Sequence, residues 1–173
     1  GHNSTKEDAI SAILKASEQR APGAVNVTAA VVEDGSGLGL VISDPATGTL
    51  KEGTVDTPLR EVKGTVSAGM ISEVEGYKVL QIADILKRQK DVAGLTVPVS
   101  SDPNDGYYKT DDGASAYLAK SAYSYDAQAD TLTDSATGTV YTANNKTGVF
   151  VDADGNELTP GWRVFVGFSN YMN

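Results

Sequence analysis

A short loop motif recurs along this chain and constrains its fold more than any other feature. Residues 44–49 (DPATGT) resemble residues 134–139 (DSATGT), and looser versions of the same loop begin at Asp126, Asn144 and Asp152. Each loop opens with an Asp or Asn, whose side chain can accept hydrogen bonds from the backbone N–H groups that follow it. Most of the loops close on a Gly, which adopts the left-handed backbone that a tight turn needs. The motif therefore predicts tight turns between short strands.

The spacing of the loops predicts the sheet architecture. From residue 123 to residue 158 they recur every 8 to 10 residues, which is typical of an antiparallel meander, sandwich or barrel and too short for a solenoid repeat. Strands are predicted there at 124–126, 131–134, 139–143 and 149–152, with a last strand at 162–168. An earlier meander is predicted from strands at 26–33, 38–43 and 49–55. A further strand is predicted at 95–99, where Pro98 favours an edge position.

Helical periodicity is found in two places. Residues 4–7 (STKE) have the pattern of a capping box with Ser4 as N-cap and Glu7 three residues on, and they predict a helix over 5–20. Its apolar stripe is narrow, which suits a helix lying on a surface, its own or a partner's. A second helix is predicted over 77–91, with a strand over 77–80 as the competing interpretation. Residues 56–76 are ambiguous, with a candidate strand at 59–66.

Together these patterns predict an α+β fold built mainly from antiparallel β-hairpins or a meander, sandwich- or barrel-like, with an N-terminal amphipathic helix and one central helix. Residues 100–106 (SSDPNDG) are the best candidate boundary. Eleven of the 12 aromatic residues follow it, which predicts a separate aromatic core or face. The predicted division is a helical arm (1–23), a β-meander with a helix (24–100) and a Tyr-rich hairpin region (101–173), with one continuous domain over 24–173 as the alternative.

The composition argues against several kinds of chemistry. The chain has no Cys, and its single His is residue 2, so thiolate catalysis, a Ser-His-Asp triad and Cys- or His-rich metal sites lack their residues. The net charge is −9, which disfavours contact with nucleic acid or an anionic membrane surface. No apolar stretch approaches the ~20 residues that span a bilayer.

The remaining motifs have ordinary structural interpretations. The Asp-rich loops at 102–106 and 152–156 resemble fragments of an EF-hand but lack its sixth-position Gly and twelfth-position Glu, so turn stabilisation is favoured over calcium. The glycines at 35–39 precede a strand rather than a helix, which is the wrong context for a dinucleotide fingerprint. A carboxylate pair for glycoside hydrolysis among the Asp residues at 126–134 is a weaker alternative. We therefore predict no enzyme, no catalytic residue, no metal site and no cofactor.

Two groups of side chains are candidates for an interaction surface. One is the apolar stripe of the first helix, and the other is a set of tyrosines in the C-terminal part. Tyrosine is favoured at half-buried strand positions, and it is also enriched in protein interfaces. The candidate interaction residues are Ile10, Ile13, Leu14, Tyr107, Tyr108, Tyr123, Tyr125 and Tyr171.

The chain is rich in Gly, Thr, Ala and Asp, free of Cys, acidic and built from hairpins, and it opens with Gly-His-Asn-Ser. In these respects it resembles small structural proteins of bacteriophage virions, especially head decoration (cement) proteins. The resemblance implies a protein made in the host cytoplasm and located in the virion, with capsid or other virion proteins as partners and a homo-oligomeric state. Alternatives are a phage tail-tube or other tail component, and a carbohydrate-binding or adhesion module that uses the tyrosines.

Overall fold

The computed structural model describes residues 5–164 and confirms the predicted α+β class, since most of its regular structure is antiparallel sheet. The helices among these residues are α1 (Lys6–Ala16), α2 (Ile82–Lys87) and α3 (Gln89–Ala93), with a 3₁₀ turn at Pro103–Asp105. The first eight strands are β1 (Glu18–Arg20), β2 (Val27–Glu33), β3 (Leu38–Ser43), β4 (Leu50–Gly53), β5 (Arg60–Val62), β6 (Gly64–Ser67), β7 (Met70–Val74) and β8 (Lys78–Val79). The others are β9 (Thr96–Pro98), β10 (Tyr107–Lys109), β11 (Ser115–Ser121), β12 (Tyr123–Asp126), β13 (Thr131–Asp134), β14 (Val140–Asn144), β15 (Val149–Val151) and β16 (Glu157–Leu158).

The chain divides into two compact units, and the division differs from the predicted one. The central unit runs from Arg20 to Lys120, and the terminal unit joins the chain up to Gln19 with the chain from Ser121 onward. The predicted boundary at 100–106 lies inside the central unit, because the strands on either side of it, β9 and β10, pair with each other. The composition shift marks a turn between paired strands and not a domain boundary.

The central unit is built on a sheet with the strand order β5-β4-β3-β2-β11-β10-β9. One edge of β2 pairs with β3 along its length, and its other edge pairs with β11 near Val27 and with β8 near Val32. Side chains on both faces of β2 and β3 are buried, with Val31 and Leu40 in one cluster and Val32 and Val41 in another. Burial of both faces explains why these two strands are continuous apolar runs without polar alternation.

The two ends of this sheet approach each other. The backbone N–H of Leu59, next to β5, donates to the carbonyl oxygen of Pro98 in β9 at 3.0 Å. A β-carbon at Gly53 would overlap the side chain of Val97, so a glycine is required for this approach. Pro98 lies in the last strand of the order, which confirms its predicted edge position; there its missing N–H breaks no ladder.

The predicted helix over 77–91 is wrong in its start and its buried face. Lys78 and Val79 form β8 and pair with Glu33 and Val32, so the helix begins only at Ile82 and breaks at Arg88 into α2 and α3. Ile85 packs on the core, whereas Ile82 and Leu86 are exposed. Pairing of β8 with a strand distant in sequence fixes the helix orientation, and the local periodicity could not reveal that pairing.

The terminal unit contains a five-stranded antiparallel meander in the order β12-β13-β14-β15-β16. The strands predicted at 124–126, 131–134, 139–143 and 149–152 agree with β12 to β15 to within one residue. Residues 162–164 form no strand, contrary to prediction, and residues 165–168 lie outside the described part of the chain. Trp162 instead donates its backbone N–H to the carbonyl of Gly148 at 2.7 Å.

The repeated motif forms the predicted turns through matching bonds. Asp44 Oδ1 accepts from the N–H of Ala46 at 2.9 Å, and Asp134 Oδ1 accepts from the N–H of Ala136 at 2.9 Å. The closing glycines at 48 and 138 have φ of 72° and 77°, which is the left-handed region predicted for them. The loops that open at Asp126, Asn144 and Asp152 accept equivalent backbone bonds.

Helix α1 is shorter than predicted and begins one residue later. Thr5, not Ser4, is its N-cap: Thr5 Oγ1 accepts from the N–H of Asp8 at 3.1 Å, and Asp8 Oδ2 accepts from the N–H of Thr5 at 3.2 Å. The helix ends at Ala16, where the Ser17 hydroxyl donates to the carbonyl oxygen of Ile13 at 3.0 Å. That hydroxyl also lies 2.6 Å from Ser121 Oγ, so it ties the helix end to the returning chain.

Candidate functional site

The predicted apolar stripe of α1 is not an exposed surface. Ile10, Ile13 and Leu14 are buried in one cluster with Leu132 of β13 and Phe150 of β15. The helix therefore covers the meander of its own chain, which settles the choice between its own surface and a partner's. These three side chains could meet a partner only if α1 left the sheet.

The tyrosines of the terminal unit are also used in packing. The rings of Tyr123 and Tyr141 meet edge to face at 6.1 Å between centroids, and those of Tyr125 and Phe150 at 6.3 Å. The Tyr125 hydroxyl donates to Asp130 Oδ1 at 2.7 Å. Burial first, and then this carboxylate, raise the pKa of Tyr125 to about 12. Both Tyr123 and Tyr125 are half-buried, so each offers a partner only part of its ring.

Asp130 also forms an ion pair with a lysine of α1. Lys6 Nζ lies 2.6 Å from Asp130 Oδ2. Burial alone would raise the pKa of Asp130, but the hydrogen bonds from Lys6 and Tyr125 outweigh it and hold the pKa below its usual range. This arrangement locks the start of the helix onto the β12–β13 turn, so its role is structural.

The other predicted tyrosines do not extend this group. Tyr107 and Tyr108 are half-buried in β10 and belong to the central unit. Tyr108 packs on the core there, and burial raises its pKa. Tyr171 lies outside the described residues. The predicted interaction residues are therefore divided between two units and include several side chains that are buried in cores.

The hairpin β6–β7 extends apolar side chains of the central unit into solvent. All four residues of β6 are exposed, and β6 is paired only with β7 among the described strands. Ile71 and Val74 anchor the hairpin to the core. Near its tip, the side chains of Val66 and Met70 are 49% and 59% exposed. We call Val66, Ala68 and Met70 the hairpin tip.

The turn of this hairpin is strained. Ala68 and Gly69 form the two-residue connection, with φ of 51° and 76°. A turn with positive φ at both central positions favours Asn or Gly at the first of them, and an L-residue with a β-carbon there costs roughly 1 kcal/mol. The tip therefore keeps a small apolar residue where a polar one would stabilise the fold better.

A second pair of exposed apolar side chains lies on α2. Ile82 and Leu86 are one helical turn apart, and they are 72% and 59% exposed. Residues four apart on a helix are neighbours on its surface, so the two form a short apolar ridge. Like the hairpin tip, the ridge belongs to the central unit.

Sequence reasoning missed the hairpin tip because residues 56–76 gave no clear period. The sequence did contain a signal for this hairpin. The dipeptide Ala68-Gly69 lies between two strand-like segments, residues 65–66 and 71–74. A two-residue loop that ends in Gly predicts a hairpin turn when alternating strands lie on both sides of it. The bulge between Thr65 and Val66 interrupts the alternation in β6, so the strand pattern is weak there.

The Asp-rich loops have the structural role expected of them. Asp102 Oδ1 accepts from the N–H of Asn104 at 2.9 Å, and Asp152 Oδ1 accepts from the N–H of Asn156 at 2.8 Å. Over residues 5–164, His, Cys, Asp and Glu side chains nowhere gather in threes in a way that could hold a metal ion. Within the same range, none of the helices combines the length and apolar character needed to cross a membrane.

The sequence matches no protein-family model, and it matches no curated protein.

Proposed function

We propose that this chain is a non-enzymatic structural protein of a virion, of the capsid decoration type, which assembles with copies of itself and bridges capsid subunits. The observation that carries the proposal is the β6–β7 hairpin, which presents Val66 and Met70 to solvent on an arm anchored by a buried core. Exposed apolar side chains grouped on one feature are typical of protein-binding surfaces.

The strain at Ala68 supports a binding role for the tip. Asn at this position would stabilise the turn but would place a polar amide between two apolar side chains. Strained positions that persist at the cost of stability are concentrated at functional sites. An apolar tip is favoured when it is covered by another subunit, because burial of apolar surface contributes about 25 cal/mol per Å².

A decoration protein can work through modest contacts. An interface of roughly 1,000 Å² is weak by itself, but a protein held at several subunits gains affinity from the high effective concentration of each further contact. The acidic surface supports this role, since a net charge of −9 keeps free copies soluble until a complementary surface is available.

The experiment is light scattering on the purified chain across a concentration series, with intact mass spectrometry on the same sample. The wild-type chain should form a species of at least twice the 18.0 kDa mass of one copy. The double variant Val66→Thr/Met70→Gln keeps the size of both side chains and should return the mass to that of one copy. Val25→Thr, a matched change at another exposed valine, should leave assembly unchanged.

Two outcomes contradict the proposal. If the wild-type chain stays at the mass of one copy throughout the series, the proposed self-assembly is contradicted. Open-ended fibres would replace the decoration role with the tail-tube alternative, because a head-to-tail interface that does not close produces a filament.

A further inference from the structure

Three side chains of complementary chemistry meet where α1 lies on two turns of the terminal unit. Lys6 is the first residue of α1, Asp130 closes the β12–β13 turn, and Asn145 lies in the β14–β15 turn. Lys6 Nζ lies 2.6 Å from Asp130 Oδ2 and donates to Asn145 Oδ1 at 3.4 Å. The amine of Lys6 is therefore in contact with a carboxylate and with a primary amide at the same time. The cluster belongs to the terminal unit and has no part in the assembly proposed above.

Asp130 stands at a position where the repeated turn otherwise has a glycine. The other four loops of the motif close on glycines with positive φ, namely Gly48, Gly138, Gly148 and Gly155. Asp130 adopts the same left-handed backbone, with φ of 55°, which a residue with a β-carbon adopts less readily than glycine does. Positions of this kind are concentrated at functional sites. The side chain that replaces the glycine hydrogen here is the one that contacts Lys6.

The carboxylate of Asp130 is fixed in place by its neighbours. The Tyr125 hydroxyl donates to Oδ1 at 2.7 Å, which leaves Oδ2 for Lys6. The backbone carbonyl of Asp130 accepts from the N–H of Ala143 at 3.1 Å, so this turn is tied to the strand that leads to Asn145. Burial raises the pKa of the carboxylate, and its hydrogen bonds with Lys6, Tyr125 and Asn145 bring that pKa below its usual range. The carboxylate thus contacts both the amine and the amide.

The cluster is partly shielded from water. The side chains of Lys6 and Asp130 are 27% and 26% exposed, and the ring of Trp162 lies 6.0 Å from Lys6 Nζ. Proton transfer along the short Lys6–Asp130 hydrogen bond converts the ion pair into a neutral amine beside a neutral carboxylic acid. Partial removal of water lowers the energy of this neutral pair relative to the charged one. A neutral lysine amine is a nucleophile, and the group next to it is the Asn145 amide.

We infer that Lys6 and Asn145 become joined by an intramolecular isopeptide bond, with Asp130 as the residue that transfers the protons. Asp130 takes a proton from the Lys6 ammonium, and the free amine attacks Asn145 Cγ. The bond between Lys6 Nζ and Asn145 Cγ forms, and the bond between Asn145 Cγ and Nδ2 breaks. Asp130 carries two protons in turn from Nζ to Nδ2. The amide nitrogen therefore leaves as ammonium, and Asp130 ends the reaction ionised, as it began.

The reaction occurs once in each molecule, so it does not need a fast rate. A small population of the neutral amine is enough, because groups held in contact react as if their concentration were raised by many orders of magnitude. Loss of ammonium to the solvent opposes the reverse reaction. The bond ties the start of α1 to the meander that the helix covers. It closes a loop over residues 6–145, and a cross-link that closes a long loop stabilises the fold by restricting the unfolded chain.

The test is intact mass spectrometry of the purified, folded chain after prolonged incubation, followed by peptide mapping. The wild-type mass should be lower than the mass of the sequence by one ammonia. A protease digest should contain a branched peptide that joins residues 6 and 145. In denaturing electrophoresis the cross-linked chain should migrate differently from a linear chain, because its closed loop cannot extend.

Variants assign the bond to its residues. Lys6→Arg keeps the cation beside Asp130 but removes the amine, and Asn145→Ser removes the amide at an exposed position; both should have the full mass of their sequences. Asp130→Asn removes the proton acceptor and should also leave the chain linear. Lys15→Arg makes the same change at the other lysine of α1, which is exposed, and should lose one ammonia as wild type does.

Three results would overturn the inference. One is a wild-type chain that keeps the full mass of its sequence. Another is a loss of ammonia that persists in Lys6→Arg, which would assign the loss to cyclisation of an asparagine, since that reaction also releases ammonia. The third is cross-linking of Asp130→Asn to the wild-type extent, which would exclude the proton transfer inferred for this residue.

Discussion

At the scale of single residues, short-range bonds determine most of what the sequence encodes clearly. An Asp or Asn side chain bonds to backbone N–H groups two or three residues ahead, and a Gly closes the turn. Such bonds depend on neighbours in sequence, which is why the repeated turns were predictable. Ala68 is the exception, since its left-handed backbone is imposed by the hairpin and is not favoured by the residue itself.

The strain at Ala68 predicts a stabilising substitution. Ala68→Asn should raise the free energy of unfolding by roughly 0.5 to 1 kcal/mol, because Asn tolerates positive φ better than Ala does. Ala136→Asn is the matched control: it lies in an exposed turn without positive φ and should change little. The measurement is urea denaturation of both variants, and a destabilised Ala68→Asn would show that the turn is not strained.

The hydroxyl of Tyr125 predicts a loss of stability at alkaline pH. Its pKa rises from 10.0 to about 12 on folding, so between these values the unfolded chain loses this proton and the folded chain keeps it. The contribution to stability is therefore full below pH 10 and is lost as the pH rises towards 12. Tyr125→Phe should flatten the decline of unfolding free energy between pH 10 and 12, whereas Tyr141→Phe, in the same sheet, should keep it. An identical slope in wild type and Tyr125→Phe would contradict the assignment.

At the scale of elements, predictability depended on whether the partners of an element are near it in sequence. Strands β12 to β15 pair with their sequence neighbours, and the loop spacing predicted them well. Strand β11 pairs with β2, more than 80 residues earlier, and its Ala- and Ser-rich sequence shows weak strand preference, so it was missed. Of the candidate interaction residues, sequence reasoning identified apolar and aromatic types but could not tell buried positions from exposed ones.

The packing of α1 predicts a large effect at Leu14. This side chain is fully buried against the meander, so Leu14→Ala should lower the free energy of unfolding by about 3 kcal/mol. Lys15→Ala, at the next and exposed position, should change it by less than about 0.5 kcal/mol. Guanidinium denaturation of the two variants provides the comparison. A loss below about 1 kcal/mol at Leu14 would show that α1 does not belong to the core of the terminal unit.

At the scale of the whole molecule, the chain forms two units with separate cores. The predicted division was consecutive along the chain, whereas the terminal unit combines two segments that are about 100 residues apart in the chain. The proposed assembly role belongs to the central unit, where the hairpin tip and the apolar ridge of α2 are exposed. The acidic charge of the chain makes specific apolar contacts necessary, since copies of like charge repel each other.

The measurement that tests the central claim most directly is hydrogen–deuterium exchange of the wild-type chain at low and high protein concentration. The amides of β6 and of the hairpin turn, residues 64–70, should exchange more slowly at high concentration, because assembly covers the hairpin tip. The amides of the β13–β14 turn, residues 135–138, provide an internal control and should exchange equally at both concentrations. Unchanged exchange at 64–70, whether the mass of the particle rises or stays at 18.0 kDa, would contradict the claim that this hairpin joins the copies.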